Sequence, residues 1–228
     1  MNRIRHVEDH FDSEAGVFDA RVIKFVPYYR EMLEALIGVI PFAAGRAISA
    51  ADLGCGTGTV ARLLKKRYPK ARVACVDLSQ KMIETAVKKF KGISGIDFIQ
   101  AELGGYRFAS KYDLIVSSLA LHHINPGKEK AALYKKIHGA LKKGGIFINA
   151  DIVVSRDRAF QEKYLKKWGE FVLRSVSEKE KRENYQRYKR EDRPAALVDE
   201  IDVLRKVGFR GVDVFWKYYN FAVYGGRK

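Results

Sequence analysis

The chain has 228 residues, 47% of them hydrophobic and 31% charged, and a formal net charge of +16. A chain of this size can bury a core without disulfides or a structural metal. Cys55 and Cys75 lack the CxxC spacing of zinc sites, so neither a disulfide framework nor a metal is expected. The N-terminus lacks the apolar segment of a signal peptide, and no run approaches the roughly 20 apolar residues of a membrane span. These features predict a cytoplasmic protein without a membrane partner.

The positive charge is spread over nearly every predicted helix, which leaves two interpretations open. It suits a polyanionic partner such as RNA, because charge of one sign steers association. It equally suits a solvated, Lys-rich surface that binds no nucleic acid.

The predicted elements alternate between strands and helices after an N-terminal segment. Residues 1–45 hold a helix at 28–40 behind a looser aromatic lead-in. Apolar runs typical of strands follow at 47–53, 71–76, 96–99, 114–117 and 146–150, and helical patterns lie among them at 60–67, 81–90 and 129–142. Gly144 and Gly145 are expected to stop the third of these helices. Such alternation predicts a Rossmann-like, doubly wound and mostly parallel sheet.

The C-terminal part departs from that alternation. Residues 156–196 form a predicted helical insertion, and 197–228 hold a last helix and an antiparallel hairpin of the runs 212–218 and 221–224. With the hairpin, the α/β sheet has seven strands. We expect a single domain over 1–228, with a cofactor-binding core at 46–155 and two helical lid segments, 1–45 and 156–196.

The segment ADLGCGTG at 51–58 is the most informative in the chain. Its glycines follow a predicted strand and precede a predicted helix, which is typical of a nucleotide-type cradle on the first βα turn. The spacing is GxGxG, not the GxGxxG of dinucleotide enzymes. Asp77 ends the next strand, where a carboxylate can accept both hydroxyls of a ribose. Asp77 could instead cap a helix, but Ser79 is better placed to do so.

Four segments in order over 51–151 resemble the motif series of class I S-adenosylmethionine-dependent methyltransferases: ADLGCGTG, VDLSQKMIETA, YDLIVSSLALHHI and LKKGGIFINAD. The flanks FDSEAGVFDARVIKFVPYY at 11–29 and VGFRGVDVFWKYYNFAVYGG at 207–226 are similar to the group of bacterial enzymes that act on the tRNA wobble-uridine 5-oxyacetate precursor. The resemblance implies S-adenosylmethionine as cofactor, S-adenosylhomocysteine as its product, and no metal.

The resemblance also implies roles for individual residues. The residues it assigns to the cofactor are Asp52, Gly54, Cys55, Gly56, Thr57, Gly58, Asp77, Leu78, Met82, Glu102, Leu103 and Ser117. The loop and Asp52 hold the methionine end, Asp77 binds the ribose, and Leu78 and Met82 pack on the adenine. Two alternatives stay open, since Glu102 also suits a solvated loop and Met82 a plain core.

Catalytic and lid residues follow less directly. His122 or His123 could act as a base for an acceptor that must lose a proton. The favoured alternative is structural: one histidine packs under the lid and the other hydrogen-bonds a backbone carbonyl. Tyr28, Trp168 and Arg182 are the lid candidates. Arg182 matches a lid arginine that binds an extra cofactor carboxylate in the tRNA-type relatives, or it pairs with Glu178 on a charged helix. Those relatives have serine in place of Gly56, which favours ordinary S-adenosylmethionine here.

Three functions are therefore compared. The favoured one is methyl transfer to a small-molecule acceptor by in-line displacement. The alternatives are a tRNA-modifying methyl or carboxymethyl transferase, in which the charge of +16 docks the RNA, and a cofactor-binding subunit without turnover. A dimer is compatible with the sequence.

Overall fold

A computed structural model describes residues 3–228 and contains one seven-stranded sheet. The strands are β1 (Ser49–Leu53), β2 (Arg72–Asp77), β3 (Ile96–Gln100), β4 (Tyr112–Ser118), β5 (Leu141–Ile152), β6 (Arg210–Tyr218) and β7 (Phe221–Arg227). Their order is β3-β2-β1-β4-β5-β7-β6. Strands β1 to β5 are parallel, and β7 runs antiparallel to both β5 and β6. The predicted Rossmann-like sheet with its terminal hairpin is confirmed.

Nine α-helices occur in residues 3–228. They are α1 (Arg3–Glu14), α2 (Phe18–Phe25), α3 (Tyr29–Gly38), α4 (Thr59–Arg67), α5 (Gln80–Lys89), α6 (Lys128–Ala140), α7 (Arg158–Val172), α8 (Glu178–Glu191) and α9 (Leu197–Val207). A short 3-10 helix, Leu121–His123, follows β4. Within this described part of the chain, no helix is both long and apolar enough to cross a membrane.

The sheet is buried on both faces. Along β4, Leu114 and Val116 belong to the core layer that contains α3 and α4, while Ile115 belongs to the opposite layer with α6 and α9. This alternation follows from the period of two along a strand. Strand β1 pairs with β2 on one side and with β4 on the other, so the strand order reverses at β1. A crevice therefore forms at the carboxyl ends of these strands.

Two predicted boundaries were wrong. Helix α6 ends at Ala140, and Gly144 and Gly145 lie inside β5, where they do not stop a helix. Gly144 adopts φ +75° at a break in the β4–β5 register, so the pair allows an irregular strand. The N-terminal lead-in is also more regular than predicted, because its aromatic residues belong to α1 and α2.

Candidate functional site

Two neighbouring cavities open at the carboxyl ends of the central strands. The large cavity has a volume of about 260 Å3 and is lined by the ends of β1 and β2 and by the segment after β4. The small cavity, about 160 Å3, lies among α1, α2, α7 and α8. Both are lined by Phe11, Phe18, Leu119 and His123, so these four side chains form a shared wall.

The glycine loop lines the large cavity and is held tightly to its surroundings. The backbone N–H groups of Gly54 and Cys55 both donate to Val76 O, at 2.8 and 3.0 Å. The Gly56 N–H donates to Asp77 Oδ2 at 2.7 Å. Because these three N–H groups bond within the protein, they are not free to donate to a ligand in the cavity.

Asp52 is the residue of the loop region with unused hydrogen-bonding capacity. Its Oδ2 accepts from the Ala61 N–H at 3.1 Å, while its Oδ1 is buried without a hydrogen-bond partner among the described residues. Burial, with a smaller contribution from Asp77, raises the pKa of Asp52 to about 7. A buried carboxylate oxygen of this kind fits a cationic or hydrogen-bonding ligand group in the cavity.

Asp77 ends β2 and lines the same cavity. Besides its bond from Gly56, it accepts from the Ser79 N–H through Oδ1 at 2.9 Å. Each carboxylate oxygen has a second acceptor site, so two ligand hydroxyls can still bind. Ser79 caps α5 by accepting from the Met82 N–H, as the sequence indicates.

Most residues assigned to the cofactor line the large cavity. Leu78, Met82, Glu102 and Leu103 form one end of it, and Cys55 and Thr57 lie along the loop. Thr57 is fixed from the lid side, because its hydroxyl donates to Asp19 of α2 at 2.5 Å.

Two of the assigned residues are not brought into this cavity. Ser117 is fully buried and its hydroxyl donates to Leu53 O at 2.7 Å, while Ser118, on the opposite face of β4, lines the cavity. The period of two along the strand is the signal that could have placed Ser118 instead. Gly58 caps α4 outside the cavity, at φ +84° and against Phe90.

The two histidines differ in environment. His122 lines the small cavity only and its Nδ1 lies 2.5 Å from Asp151 Oδ1. His123 lines both cavities, and neither ring nitrogen makes a hydrogen bond of good geometry with the described residues, although its Nδ1 lies 3.3 Å from Asp192 Oδ1. Burial, and then the neighbouring His122, lower the pKa of His123. The His123 ring therefore resists protonation.

Of the three lid candidates, only Trp168 reaches a cavity. It lines the small cavity and donates from Nε1 to Phe25 O at 2.9 Å. Tyr28 is half-exposed and packs against Tyr218. Arg182 lines a separate groove between α7 and α8.

Two arginines line the small cavity: Arg21 of α2, and Arg187, which lies one turn and a half beyond Arg182 along α8. Arg187 donates to Glu14 of α1 at 2.6 Å and contacts His10. Although burial opposes the change, hydrogen bonds from His10 and Arg187 lower the pKa of Glu14 to about 2. Sequence reasoning missed this contact because α8 is charged on most of its surface, and the partner lies on α1, 173 residues away.

Ligand-type atoms of His122, His123 and Asp192 lie within 4.8 Å of one another. The three side chains could approach a cation, but nothing in the chemistry of the family described next requires a metal. We assign none.

Residues 50–145 match the sequence model of a methyltransferase domain. This range covers the strands and loops that build the large cavity. Fold and site together are those of a class I S-adenosylmethionine-dependent methyltransferase, and the cofactor of this class is S-adenosylmethionine. The solved DhpI–SAM–HEP complex has the same fold, with a TM-score of 0.67 at 19% identity over 96% of this chain and 95% of that one.

Two relatives extend the similarity to nearly the whole chain. The carboxy-S-adenosyl-L-methionine synthase of Helicobacter hepaticus is 30% identical over 96% of this chain and 94% of its own length. The synthase of a Nitratiruptor species is 28% identical over 94% and 90%. The chain belongs to the family of class I S-adenosylmethionine-dependent methyltransferases that contains these synthases.

The residues present fit the cofactor. The unpartnered Asp52 Oδ1 suits the amino group of its methionine end, and Asp77 retains acceptor sites for its ribose hydroxyls. Leu78, Met82 and Leu103 supply the apolar surface that an adenine ring needs. These placements are inferred from the lining residues and stay predictions for each residue.

Proposed function

We propose that this chain transfers the methyl group of S-adenosylmethionine to a small-molecule acceptor bound in the small cavity. The observation that carries this proposal is the shared wall: the four side chains that separate the two cavities belong to both. A cofactor in the large cavity and an acceptor in the small one would be neighbours across these four side chains, and would come into contact when one of these side chains moves aside. This arrangement suits in-line displacement, which depends on holding two reactants in line.

The lid helices support the same proposal. Arg3 of α1 donates to His123 O at 2.6 Å and to Glu191 O at 2.9 Å, which ties α1 to the 3-10 helix and to the end of α8. Asp12 accepts from the Ser79 hydroxyl at 2.5 Å, which ties α1 to the cofactor side. Helices held in this way exclude water from a reacting sulfonium.

The lining of the small cavity favours an acceptor with a flat apolar part and polar substituents. Seven aromatic side chains line it: Phe11, Phe18, Phe25, Trp168, Tyr185, Tyr188 and Phe221. Ten polar or charged residues line it as well, and Asn184, Asn220 and Arg187 provide hydrogen-bond donors among them. Aromatic surface with placed hydrogen-bonding groups is typical of small-molecule sites.

The test is a turnover assay with a variant that fills the small cavity. The protein is incubated with S-adenosylmethionine and with catechol, tryptamine or unfractionated tRNA, and S-adenosylhomocysteine is measured by mass spectrometry. Leu165→Trp, on the cavity lining, should reduce turnover of the small probes and leave S-adenosylhomocysteine binding intact. Leu173→Trp is the matched control, because Leu173 lies outside both cavities. Turnover with tRNA alone, with steep salt dependence, would contradict the proposal.

A second candidate is synthesis of carboxy-S-adenosyl-L-methionine, which the names of the relatives state for those proteins. Their similarity over more than nine-tenths of the chain supports it. The cofactor that co-purifies with the protein distinguishes the two, since a carboxylated cofactor is heavier by one carbon dioxide. Recovery of that heavier cofactor favours this second candidate over methyl transfer.

A further inference from the structure

We propose that His122 Nε2 takes the proton that the acceptor's hydroxyl or N–H group loses on methylation, and that Asp151 is the positioning residue that orients His122. The inference rests on the proposed methyl transfer. It adds a catalytic residue and a substrate class, namely an acceptor whose nucleophilic atom carries a proton.

The geometry of the pair supplies the first support. His122 Nδ1 lies 2.5 Å from Asp151 Oδ1, and the two residues are 5% and 1% exposed. A carboxylate on Nδ1 fixes the tautomer with a hydrogen on that nitrogen, which leaves the lone pair on Nε2. Nε2 lies 3.7 Å from Asp192 Oδ2, too far for a direct hydrogen bond, while the ring lines the small cavity.

Asp151 is itself held by a buried polar chain. Its Oδ1 also accepts from the Ile152 N–H at 2.9 Å, and its Oδ2 accepts from Asn149 Nδ2 at 3.2 Å. The same Asn149 group donates to the Tyr224 hydroxyl at 2.9 Å. Hydrogen bonds to a charged carboxylate favour its ionised form, so they keep Asp151 able to accept from His122.

The chain continues away from the cavity into the core. The Tyr224 hydroxyl lies 3.3 Å from that of Tyr134, which donates to Glu200. Lys130 pairs with Glu200 at 3.0 Å and also donates to Leu121 O at 2.6 Å, next to His122. The polar network therefore begins at the His122 side chain with Asp151. It ends at Lys130, which donates to the backbone carbonyl next to His122. Such a network is costly to bury, and it holds the His122 ring through Asp151 and the adjacent backbone through Lys130.

His123 does not have this arrangement. Its ring nitrogens lack a hydrogen-bonded carboxylate among the described residues, and burial lowers its pKa. An imidazole that resists protonation is a weak proton acceptor. It serves better as a neutral part of the wall between the cavities.

The carboxylates around His122 stabilise the protonated ring, whereas Lys130 opposes its charge. Asp151 faces it from β5, Asp192 from the end of α8, Lys130 from α6 and His123 from the adjacent position, with Arg3 and His10 of α1 acting on His123. Although burial disfavours the charged imidazole, the two carboxylates hold the pKa of His122 above its usual value. They also lower the energy of the step in which the ring gains its proton.

The step balances as follows. A lone pair on the acceptor oxygen or nitrogen forms a bond to the methyl carbon, and the carbon–sulfur bond breaks with its electron pair going to sulfur. The acceptor's proton moves to His122 Nε2. The products are the methylated acceptor, S-adenosylhomocysteine and a protonated His122, which returns its proton to water when the site opens.

The experiment compares a protic probe with an aprotic one. Catechol loses a proton on methylation, whereas N,N-dimethylaniline has none to lose at its nitrogen. His122→Gln should lower the rate of S-adenosylhomocysteine formation roughly 100-fold or more with catechol and change it little with N,N-dimethylaniline. His138→Gln, a histidine outside both cavities, is the matched control and should change neither rate.

The pH profile tests the positioning residue separately. Asp151→Asn and Asp192→Asn each remove a charge that raises the pKa of His122, so each should move the acid limb of the catechol profile to lower pH. A purely structural role would lower the rate without moving that limb. Retained S-adenosylhomocysteine binding, measured by calorimetry, shows that the variants fold.

Three results would overturn the inference, and they are distinguishable. Turnover of catechol with an unchanged rate and profile in His122→Gln overturns the role of His122 and leaves methyl transfer standing. No turnover of any probe by the unaltered protein overturns the proposed function and this inference with it. Loss of activity with a chelator would instead assign the cluster to a metal, which also overturns it.

Discussion

Gly54 lies directly against Ala120, so that a Cβ atom built on Gly54 would be 2.1 Å from the Ala120 Cβ. This contact joins the loop after β1 to the segment after β4 at the floor of the large cavity. Two reasons therefore require glycine at position 54: a side chain would clash with Ala120, and the backbone has φ +69°.

Gly54→Ala is therefore expected to disrupt the loop. The added methyl meets Ala120, and its φ is unfavourable, so unfolding stability should fall by about 2–4 kcal/mol and cofactor binding should be lost. Gly56→Ala is the matched control. Gly56 has φ +52° but open space around a Cβ, so its cost should be limited to about 1 kcal/mol. Chemical denaturation measures both, and equal losses would contradict the packing argument.

Asp77→Ala should abolish binding of S-adenosylhomocysteine. The substitution removes the acceptors for the ribose and also frees the Gly56 and Ser79 N–H groups that Asp77 now holds. Asp77→Asn retains one acceptor oxygen and should bind more weakly without losing affinity altogether. Calorimetry gives both constants. Unchanged binding in Asp77→Ala would remove the ribose assignment.

Cofactor affinity should depend on pH through Asp52. Burial raises the pKa of Asp52 to about 7 in the free protein. Below that pH the carboxyl group is protonated and must lose its proton to pair with the cofactor's amino group. Affinity should therefore fall as pH drops from 8 to 6, approaching roughly tenfold per pH unit.

Calorimetry with S-adenosylhomocysteine in buffers of different ionisation enthalpy measures the proton released on binding. Asp52→Asn should bind more weakly and show a smaller pH dependence. An affinity that is flat over this range in the unaltered protein would show that Asp52 does not pair with the amino group.

The sheet and the cofactor side were largely predictable from the sequence, because both depend on local patterns. Continuous apolar runs that alternate with helical patterns locate the strands, and a strand end fixes which edge Asp52 and Asp77 share. Ser117 shows the limit of this prediction, since neighbouring residues of a strand point to opposite faces of the sheet and an error of one residue selects the wrong face.

The small cavity was much less predictable, because its lining depends on contacts between distant segments. Arg187 meets Glu14, and His122 is placed by Asp151. Helix α8 carries charge on several faces, so helical periodicity alone does not predict whether Arg182 or Arg187 faces the small cavity. Only the packing of α1 against α8 selects the residue that enters the cavity.

The buried pair of Lys130 and Glu200 should make single substitutions costly. Both residues are 2% exposed and their charged atoms lie 3.0 Å apart. Lys130→Met leaves the Glu200 carboxylate buried without its cation, and should destabilise the fold by about 3–5 kcal/mol. The double variant Lys130→Met/Glu200→Gln removes both charges and should recover part of that loss, because the remaining amide can still accept from Tyr134. Urea unfolding of Lys130→Met, Glu200→Gln and the double variant tests this. A loss in the double variant that equals the sum of two large single losses would show that the pair is not coupled.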